Sequence, residues 1–323
     1  MKIAFFDTHE FEKKLFNELG SKKNLEFSFF ETRLNIKTIS LAKGHDAICV
    51  FTNDKVCREV LEVAKEYGIG IVALRCAGFN NVDLKAAKEF GISVVRVPEY
   101  SPYAIAEHSV ALLQTLNRKI HRAHNRVREG NFRLDGLLGF DLYGKTVGVI
   151  GTGKIGQKFV NIMNGFGCKV IAYDKFENDG INYVPLDKLL RESDIISLHV
   201  PLNKETHHII DEDAILKMKD GVFLINTSRG GLVDSKALIN GLKSGKIGAA
   251  GLDVYEEEEY YFFEDHSDFI MQDDDLARLL SFPNVLITSH QGFFTREALN
   301  SIGDTTISNL MEFFDKKELT NSL

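Results

Sequence analysis

A glycine-rich loop separates an apolar segment from a helical one near the middle of the chain. Gly151, Gly153 and Gly156 form a Gly-x-Gly-x-x-Gly pattern after the apolar residues 147–150, and a helical stretch through residue 164 follows. Glycines let the backbone turn tightly and approach a phosphate closely, while the N-terminus of the next helix offers N–H donors and a positive dipole. The loop therefore predicts the strand, phosphate-binding turn and helix that begin a doubly wound α/β domain.

An acidic residue follows the next apolar segment. Asp174 ends residues 170–174, and it lies 18 positions after Gly156. A carboxylate at this place can accept a hydrogen bond from the adenosine ribose of a dinucleotide. Because it would repel a 2′-phosphate, the sequence favours NAD over NADP, a preference that the neighbouring Lys175 weakens. A tight turn that binds no nucleotide is the alternative interpretation.

Short apolar runs alternate with helical patterns along the whole chain, as in parallel sheets with crossover helices. The first series of strands is expected near residues 2–7, 26–30, 46–51, 70–75 and 92–97, with helices at 56–66 and 83–90 among those between them. Ser101-Pro102 is expected to begin one long helix that runs to about Glu129. The second series is expected near residues 145–151, 169–174, 194–200, 222–227, 247–254 and 285–289, and a last helix near 295–316.

The position of the glycine loop predicts the domain organisation. About 145 residues precede the loop, and a helix follows the last predicted strand. We therefore expect a Rossmann dinucleotide-binding domain over residues 101–295, inserted into a flavodoxin-like substrate domain of residues 1–100 and 296–323. The predicted fold class is α/β, with two doubly wound parallel-sheet domains.

Composition excludes several classes of protein. The net charge of −7 argues against a nucleic-acid-binding protein, and no apolar run approaches the roughly 20 residues of a membrane span. The four cysteines have no Cys-x-x-Cys spacing and no metal-ligand spacing with histidine. We therefore expect free thiols and a cytoplasmic protein. No metal site is predicted, because the basic neighbours of His121 and His124 favour a solvated helix face over a metal site.

Charged residues follow three strands of the second series. Arg229 follows the strand near 222–227, four glutamates at 256–259 follow the next, and His290 follows the last. Ligands lie beyond the carboxyl ends of parallel strands, so these side chains are expected at one edge of a sheet. An arginine can bind a carboxylate with two hydrogen bonds, and a histidine paired with an acid can transfer a proton near neutral pH. Beside a nucleotide loop, these groups indicate NADH-dependent reduction of a 2-keto acid.

Each of these residues also has a purely structural interpretation. An arginine after a strand is often part of a surface ion pair, a glutamate run is usually a solvated loop, and a histidine at a strand end is often only a hydrogen-bonded polar group. The residues alone do not decide which glutamate pairs with His290. The hypothesis of an active site depends on the three roles occurring together.

Segments along nearly the whole chain carry a family resemblance. They are residues 74–83, 96–102, 106–108, 143–146, 151–156, 197–201, 226–230, 251–256 and 290–293. They resemble the D-specific 2-hydroxyacid dehydrogenase family, and within it the NAD-dependent fermentative D-lactate dehydrogenases. The resemblance implies reduction of pyruvate to D-lactate by a homodimer or homotetramer. Another 2-keto acid, such as phenylpyruvate, hydroxypyruvate or glyoxylate, is the alternative substrate, and an NAD-sensing corepressor is the alternative class of protein.

The resemblance also implies roles for single residues. It makes Arg229 the anchor of the substrate carboxylate and carbonyl, His290 the acid–base residue and Glu258 its partner, with Glu257 or Glu259 as the partner if the loop is shifted by one residue. The implied cofactor contacts are Gly151, Gly153, Lys154, Ile155 and Gly156 at the pyrophosphate, Asp174 at the adenosine ribose, Val200 and Pro201 on the adenine side, Thr227, Ser228, Arg229 and Asp253 on the nicotinamide side, and Thr206. The implied substrate contacts, besides Arg229 and His290, are Phe51, Ala77, Gly78, Tyr100 and Phe293.

Overall fold

Residues 1–323 are all described by the computed structural model, in which the chain separates into two units. The first unit contains Met1–Ser101 and Thr295–Leu323, and the second contains Pro102–Phe294. Each unit is built on one parallel sheet, and helices connect most of the successive strands. The α/β fold class that the alternating sequence pattern predicts is therefore confirmed.

The first unit contains a five-stranded sheet. Its elements before the second unit are β1 (Lys2–Phe5), α1 (Glu10–Ser21), β2 (Glu26–Phe29), β3 (Ala47–Val50), α2 (Arg58–Glu66), β4 (Ile71–Leu74), α3 (Leu84–Phe90) and β5 (Ser93–Val95). The strand order is β2-β1-β3-β4-β5, all parallel, which is the flavodoxin-like order. Every residue of β3 and β4 is buried, because helices cover both faces of the central strands.

The second unit contains a six-stranded sheet. Its elements are α4 (Pro102–Arg118), α5 (Ile120–Arg128), β6 (Thr146–Ile150), α6 (Lys154–Gly165), β7 (Lys169–Tyr173), α7 (Leu186–Glu192), β8 (Ile195–Leu198), α8 (Glu212–Lys217), β9 (Val222–Asn226), α9 (Ser235–Ser244), β10 (Ile247–Leu252), α10 (Asp274–Ser281) and β11 (Val285–Ile287). The strand order is β11-β10-β9-β8-β6-β7, all parallel. A single parallel bridge between Ala172 and Tyr183 stands beside β7, where the usual Rossmann order has another strand.

The direction of the connections reverses at β6, which lies between β7 and β8. In such sheets a ligand crevice forms at the carboxyl ends of the strands on either side of the reversal. The glycine loop follows β6 directly, so the fold places it at this crevice.

The prediction of one continuous helix over residues 101–129 is wrong, because the structure divides this segment into α4 and α5. Lys119 between them has a left-handed backbone, with φ of 50°. The backbone of Phe140 forms two hydrogen bonds next to this break. The Asn117 side chain accepts from the Phe140 N–H at 2.9 Å and donates to the Phe140 carbonyl at 2.8 Å. These long-range contacts have no signature in the helical periodicity.

The chain returns to the first unit with α11 (Arg296–Phe314). The Thr295 hydroxyl caps this helix by accepting from the Ala298 N–H at 3.2 Å. The helix packs against α1 and β4, and the Asn309 amide donates to the Arg96 carbonyl at 2.8 Å. The last helix predicted from the sequence thus completes the first unit.

Candidate active site

The three glycines of the loop after β6 have different surroundings. Gly151 has φ of +95°, and a Cβ there would lie 2.4 Å from the His199 carbonyl oxygen. A Cβ on Gly156 would lie 2.0 Å from the Gly151 oxygen, whereas a Cβ on Gly153 would meet nothing within 4 Å. Gly151 and Gly156 therefore allow the chain to close on itself, and Gly153 leaves open space at the N-terminus of α6. That open space beside a helix N-terminus fits a dinucleotide pyrophosphate.

The carboxylate of Asp174 is attached to this loop. It accepts hydrogen bonds from the Thr152 N–H at 2.5 Å and from the Thr152 hydroxyl at 3.2 Å, and its other oxygen accepts from the Phe176 N–H at 2.9 Å. Lys175, whose charge favours a 2′-phosphate, forms an ion pair with Glu205. The acid thus lies beside the glycine loop with its neighbouring cation already paired, an arrangement that fits NAD.

The other predicted cofactor residues of this unit lie at the same end of the sheet. Lys154 and Ile155 are the first two residues of α6. Val200 and Pro201 follow β8, where the Thr206 hydroxyl donates to the Pro201 carbonyl at 2.6 Å. Thr227 and Ser228 follow β9; the Thr227 hydroxyl pairs with the Ser109 hydroxyl at 2.7 Å, and Ser228 donates to the Leu198 carbonyl at 2.8 Å.

Asn226, at the end of β9, fixes the backbone that carries Arg229. Its side-chain nitrogen donates to the Arg229 carbonyl at 2.8 Å, and its oxygen accepts from the Ser228 N–H at 3.1 Å. The next residue, Gly230, packs so tightly that a Cβ would lie 2.1 Å from the Tyr255 carbonyl. The arginine loop therefore rests directly on the loop after β10. Asn226 received no role from the sequence, although its place at a strand end next to the arginine loop was a usable signal.

His290 pairs with one glutamate of the run 256–259. Its Nδ1 lies 2.7 Å from Glu258 Oε1, and both side chains are 18% exposed. Glu256 has other partners, namely His208 at 2.6 Å and the Ser235 hydroxyl at 3.1 Å. The observed contact is therefore with Glu258, one of the alternatives that the sequence left open, and the acid–base role of this pair stays a prediction.

The turn that carries His290 is held by Asp253, which is 1% exposed. One oxygen of this carboxylate accepts from the Thr288 hydroxyl at 2.6 Å and the Gln291 N–H at 2.9 Å, and the other from the Gly292 N–H at 2.8 Å. His290 itself has a left-handed backbone with φ of 52°, a conformation that costs energy unless the surroundings impose it. A place for Asp253 near a nicotinamide ribose stays a prediction, and its contacts give it a second role in fixing the His290 backbone.

One further histidine, missed by the sequence analysis, joins this network. His108, on α4, has its Nε2 3.2 Å from Asp253 Oδ1 and 3.0 Å from the Thr288 hydroxyl. Since α4 precedes these residues by well over one hundred positions, no local pattern could have connected them. The buried carboxylate thus accepts from three groups of the His290 turn and has an imidazole nitrogen beside it.

Arg229, Glu258 and His290 follow three strands that are direct neighbours. β10 pairs with β9 on one side and with β11 on the other, in parallel register. The carboxyl ends of the three strands therefore form one edge of the sheet, which carries a guanidinium and an imidazole–carboxylate pair. Such an edge can bind a carboxylate and exchange a proton with a neighbouring oxygen.

The substrate residues predicted in the first unit follow two neighbouring strands. Phe51 follows β3, and Ala77 and Gly78 follow β4. The Arg96 guanidinium donates to the Ala77 carbonyl at 2.8 Å, and the Cys76 thiol donates to the Gly78 carbonyl at 3.3 Å. Tyr100 is partly buried near the end of this part of the unit, and Phe293 belongs to the second unit, where it is 7% exposed.

A buried ion pair supports Phe51 in the first unit. The Arg75 guanidinium is fully buried and donates to Glu12 Oε1 at 2.6 Å. It lies over the Phe51 ring, 4.9 Å from the centroid, and over the Phe5 ring at 4.2 Å. The ring of Phe51 therefore packs against a buried guanidinium that is itself held by Glu12.

The chain matches proteins of one family over its full length. Residues 110–292 match the family model for the NAD-binding domain of D-isomer-specific 2-hydroxyacid dehydrogenases. A 2-hydroxyacid dehydrogenase homolog of Haemophilus influenzae is 51% identical over 99% of this chain and 98% of its own length. D-lactate dehydrogenase of Escherichia coli is 49% identical over the whole of both chains.

Solved structures agree with this match. The apo-structure of D-lactate dehydrogenase from Escherichia coli covers 100% of both chains, with a TM-score of 0.92 and 47% identity. The structure of the pyruvate reductase of Chlamydomonas reinhardtii covers 99% of this chain and 98% of its own, with a TM-score of 0.94 and 45% identity. The predicted resemblance and the predicted NAD cofactor are confirmed. The chain belongs to the D-isomer-specific 2-hydroxyacid dehydrogenase family and is an NAD-dependent oxidoreductase.

Proposed function

We propose that this protein reduces pyruvate to D-lactate with NADH. The observation that carries the proposal is the His290–Glu258 contact of 2.7 Å, which lies at the same sheet edge as Arg229. Relatives named D-lactate dehydrogenase and pyruvate reductase, at 45–49% identity over 98–100% of their lengths, support this substrate.

Arg229 and His290 have complementary roles in the proposed reaction. The planar guanidinium of Arg229 binds the substrate carboxylate with two parallel hydrogen bonds and polarises the carbonyl. Nδ1 of His290 faces Glu258, so its Nε2 is the nitrogen that can give a proton to the keto oxygen. Glu258 fixes the orientation of the ring and stabilises the imidazolium form that donates the proton.

The cofactor residues hold the dinucleotide in the order that the strands define. Gly151, Gly153, Gly156, Lys154 and Ile155 are proposed at the pyrophosphate, and Asp174 at the adenosine ribose. Val200, Pro201 and Thr206 are proposed on the adenine side, and Thr227, Ser228 and Asp253 on the nicotinamide side. When bound, NADH supplies the hydride for the reduction.

The two units have different proposed tasks. The second unit, which includes the matched residues 110–292, binds NAD and contributes Arg229, Glu258 and His290. The first unit contributes further substrate contacts at Phe51, Ala77, Gly78 and Tyr100. Phe51 and Phe293 are both proposed to favour a small apolar group on the 2-keto acid.

The test is a panel of substrates, followed through the loss of NADH absorbance. We expect turnover of pyruvate above that of phenylpyruvate, hydroxypyruvate and glyoxylate, and oxidation of D-lactate but not of L-lactate in the reverse direction. His290→Gln should lose about 100-fold or more of the rate, whereas the control His124→Gln, at an exposed position of α5, should not. Higher rates with a bulky keto acid would overturn the pyruvate assignment, and an active His290→Gln variant would overturn the acid–base assignment.

We also propose that the chain forms a homo-oligomer through the segment around α5. Ile120, Phe132, Leu134 and Leu138 are apolar and between 57% and 87% exposed, and contiguous exposed apolar groups are typical of interfaces. The mass in solution, measured by light scattering, should be a multiple of 36.3 kDa. The double variant Leu134→Glu/Leu138→Glu should shift it towards the monomer mass.

A cytoplasmic location is part of the same proposal. All four cysteines are free thiols, as is usual in a reducing compartment. None of the helices combines the length and the hydropathy that crossing a membrane would require. Cell fractionation with activity measurement would test the location.

A further inference from the structure

Three metal-binding side chains lie together outside the proposed catalytic residues. His207, His208 and Glu256 each place a donor atom within 4.8 Å of the other two. The two imidazole rings are stacked with centroids 3.9 Å apart. His208 Nε2 lies 2.6 Å from Glu256 Oε1. Two imidazole nitrogens and one carboxylate oxygen are a ligand set that suits Zn²⁺ and similar divalent transition metals.

The backbone of this cluster is held in place by the rest of the second unit. The His208 N–H donates to the Gly231 carbonyl at 2.9 Å, and His208 has a left-handed backbone with φ of 51°. The Glu256 carboxylate accepts at its other oxygen from the Ser235 hydroxyl at 3.1 Å. A ligand set on braced backbone needs little ordering on binding, which favours affinity.

The geometry is close to that of a tetrahedral metal site. Ligand atoms about 2.0–2.1 Å from Zn²⁺ at tetrahedral angles are about 3.4 Å apart. His208 and Glu256 therefore have to separate by less than about 1 Å, and donor atoms up to 4.8 Å apart have to approach by at most about 1.4 Å. Asp234 Oδ2 lies 3.9 Å from His208 Nδ1, which is too far for a hydrogen bond but places a negative charge beside the ring. Water would complete the coordination, since His207 is exposed.

We propose that His207, His208 and Glu256 form a binding site for a divalent transition-metal ion such as Zn²⁺, and that its occupancy lowers turnover. The second part rests on the proposed function. Glu256 is two positions before Glu258, and its backbone nitrogen packs so closely against Gly230 that a Cβ there would be 2.4 Å away. The Glu256 side chain that rotates towards a metal is therefore attached to backbone that lies directly beside the turn of Glu258 and the loop of Arg229.

Binding can be measured without any turnover, by isothermal titration with Zn²⁺ and by the visible absorption of Co²⁺ on the full-length protein. We expect one site per chain and a Co²⁺ spectrum of low coordination number. His207→Ala should weaken binding at least about 10-fold, because even the loss of an outer partner of a metal site costs about 10- to 100-fold in affinity. The matched control His124→Ala, at an exposed histidine of α5, should bind as the unmodified chain does.

The His290→Gln variant separates this site from the proposed active site. It should keep the Co²⁺ spectrum, because His290 is not a ligand, so a failure of the proposed function would leave the metal result intact. Loss of the spectrum in that variant, or equal affinity of His207→Ala and the unmodified chain, would overturn the site.

Turnover then tests the second part of the proposal. Metal-free His207→Ala should turn over NADH and pyruvate within about twofold of the unmodified chain, because His207 is exposed and outside the catalytic residues. Saturating Zn²⁺ should slow the unmodified chain and the His124→Ala control several-fold, an effect reversed by a chelator, while sparing His207→Ala. Equal inhibition of all three proteins would show that the metal acts elsewhere and would overturn the link to turnover.

Discussion

His290 Nδ1 lies 2.7 Å from Glu258 Oε1, while the other oxygen of the same carboxylate accepts from the Tyr255 N–H at 2.9 Å. The glutamate thus has a partner at each oxygen, and these two contacts hold its carboxylate against the imidazole. Because Nδ1 is engaged, the tautomer and the direction of Nε2 are set before any substrate arrives. Because only Glu258 is assigned to His290, the proposed acid–base role can be tested by replacing single glutamates of the run 256–259.

Glu258→Gln should lower kcat for pyruvate reduction by about 100-fold or more, within the range that general acid–base catalysis contributes. The amide keeps the length of the side chain but not the negative charge that stabilises an imidazolium. The KM for pyruvate should change little, and the pH profile of kcat should move. Glu257→Gln, at the exposed neighbouring position, is the matched control. Similar kcat values for the two variants would contradict the assignment of Glu258.

Arg229→Lys should lower kcat/KM for pyruvate by about 10- to 100-fold, which corresponds to one or two charge-assisted hydrogen bonds. An ammonium keeps the charge but cannot reproduce the planar fork of the guanidinium. The control is Arg278→Lys, on an exposed face of α10, which should leave kcat/KM unchanged. Steady-state kinetics at several pyruvate concentrations provide the measurement, and an unchanged kcat/KM in Arg229→Lys would remove the anchor role.

The glycines of the loop after β6 should respond differently to alanine. Gly153→Ala should leave thermal stability almost unchanged, because its Cβ enters open space, yet weaken NADH binding, because the added methyl group stands where the pyrophosphate approaches. Gly156→Ala should destabilise the fold itself, since its Cβ would lie 2.0 Å from the Gly151 oxygen. Melting temperatures and NADH fluorescence titrations would distinguish these effects. Equal melting temperatures for both variants would be inconsistent with the packing described.

Asp54 should make the first unit less stable as the pH rises. Its buried carboxylate accepts from the Leu34 N–H at 2.5 Å and the Phe51 N–H at 2.6 Å, and burial raises its pKa to about 7. An unfolded aspartate has a pKa near 3.9, so between about pH 4 and pH 7 the folded state holds more protons than the unfolded state. The free energy of unfolding therefore falls with rising pH in this window, by at most about 1.4 kcal/mol per pH unit from this group.

Asp54→Asn tests this through urea unfolding at pH 5 and pH 8. The variant should be less stable than the unmodified chain at pH 5, because the amide keeps only one acceptor oxygen and one of the two backbone hydrogen bonds is lost. Its stability should, however, fall less between the two pH values. Asp46→Asn, at an exposed position, should keep the pH dependence of the unmodified chain. An identical dependence in all three proteins would rule out Asp54 as its source.

Local sequence patterns were enough to predict the order of the elements and the residues that follow the strands. The alternation of short apolar runs with helical patterns is a local property of the chain, so the strands lie where the pattern predicts them. The glycine loop, Asp174, Arg229 and His290 could be located in the same way, because parallel strands bring the residues after them to one sheet edge.

Which side chains are in contact depends on the three-dimensional fold and could not be predicted from local patterns. Four consecutive glutamates have the same local pattern, and the partner of His290 lies 32 positions away from it. The break at Lys119 depends on contacts with residues around Phe140, and the cluster of His207 and His208 with Glu256 joins residues 48 positions apart. Side-chain directions in loops follow from long-range packing and hydrogen bonding, which periodicity and spacing do not encode.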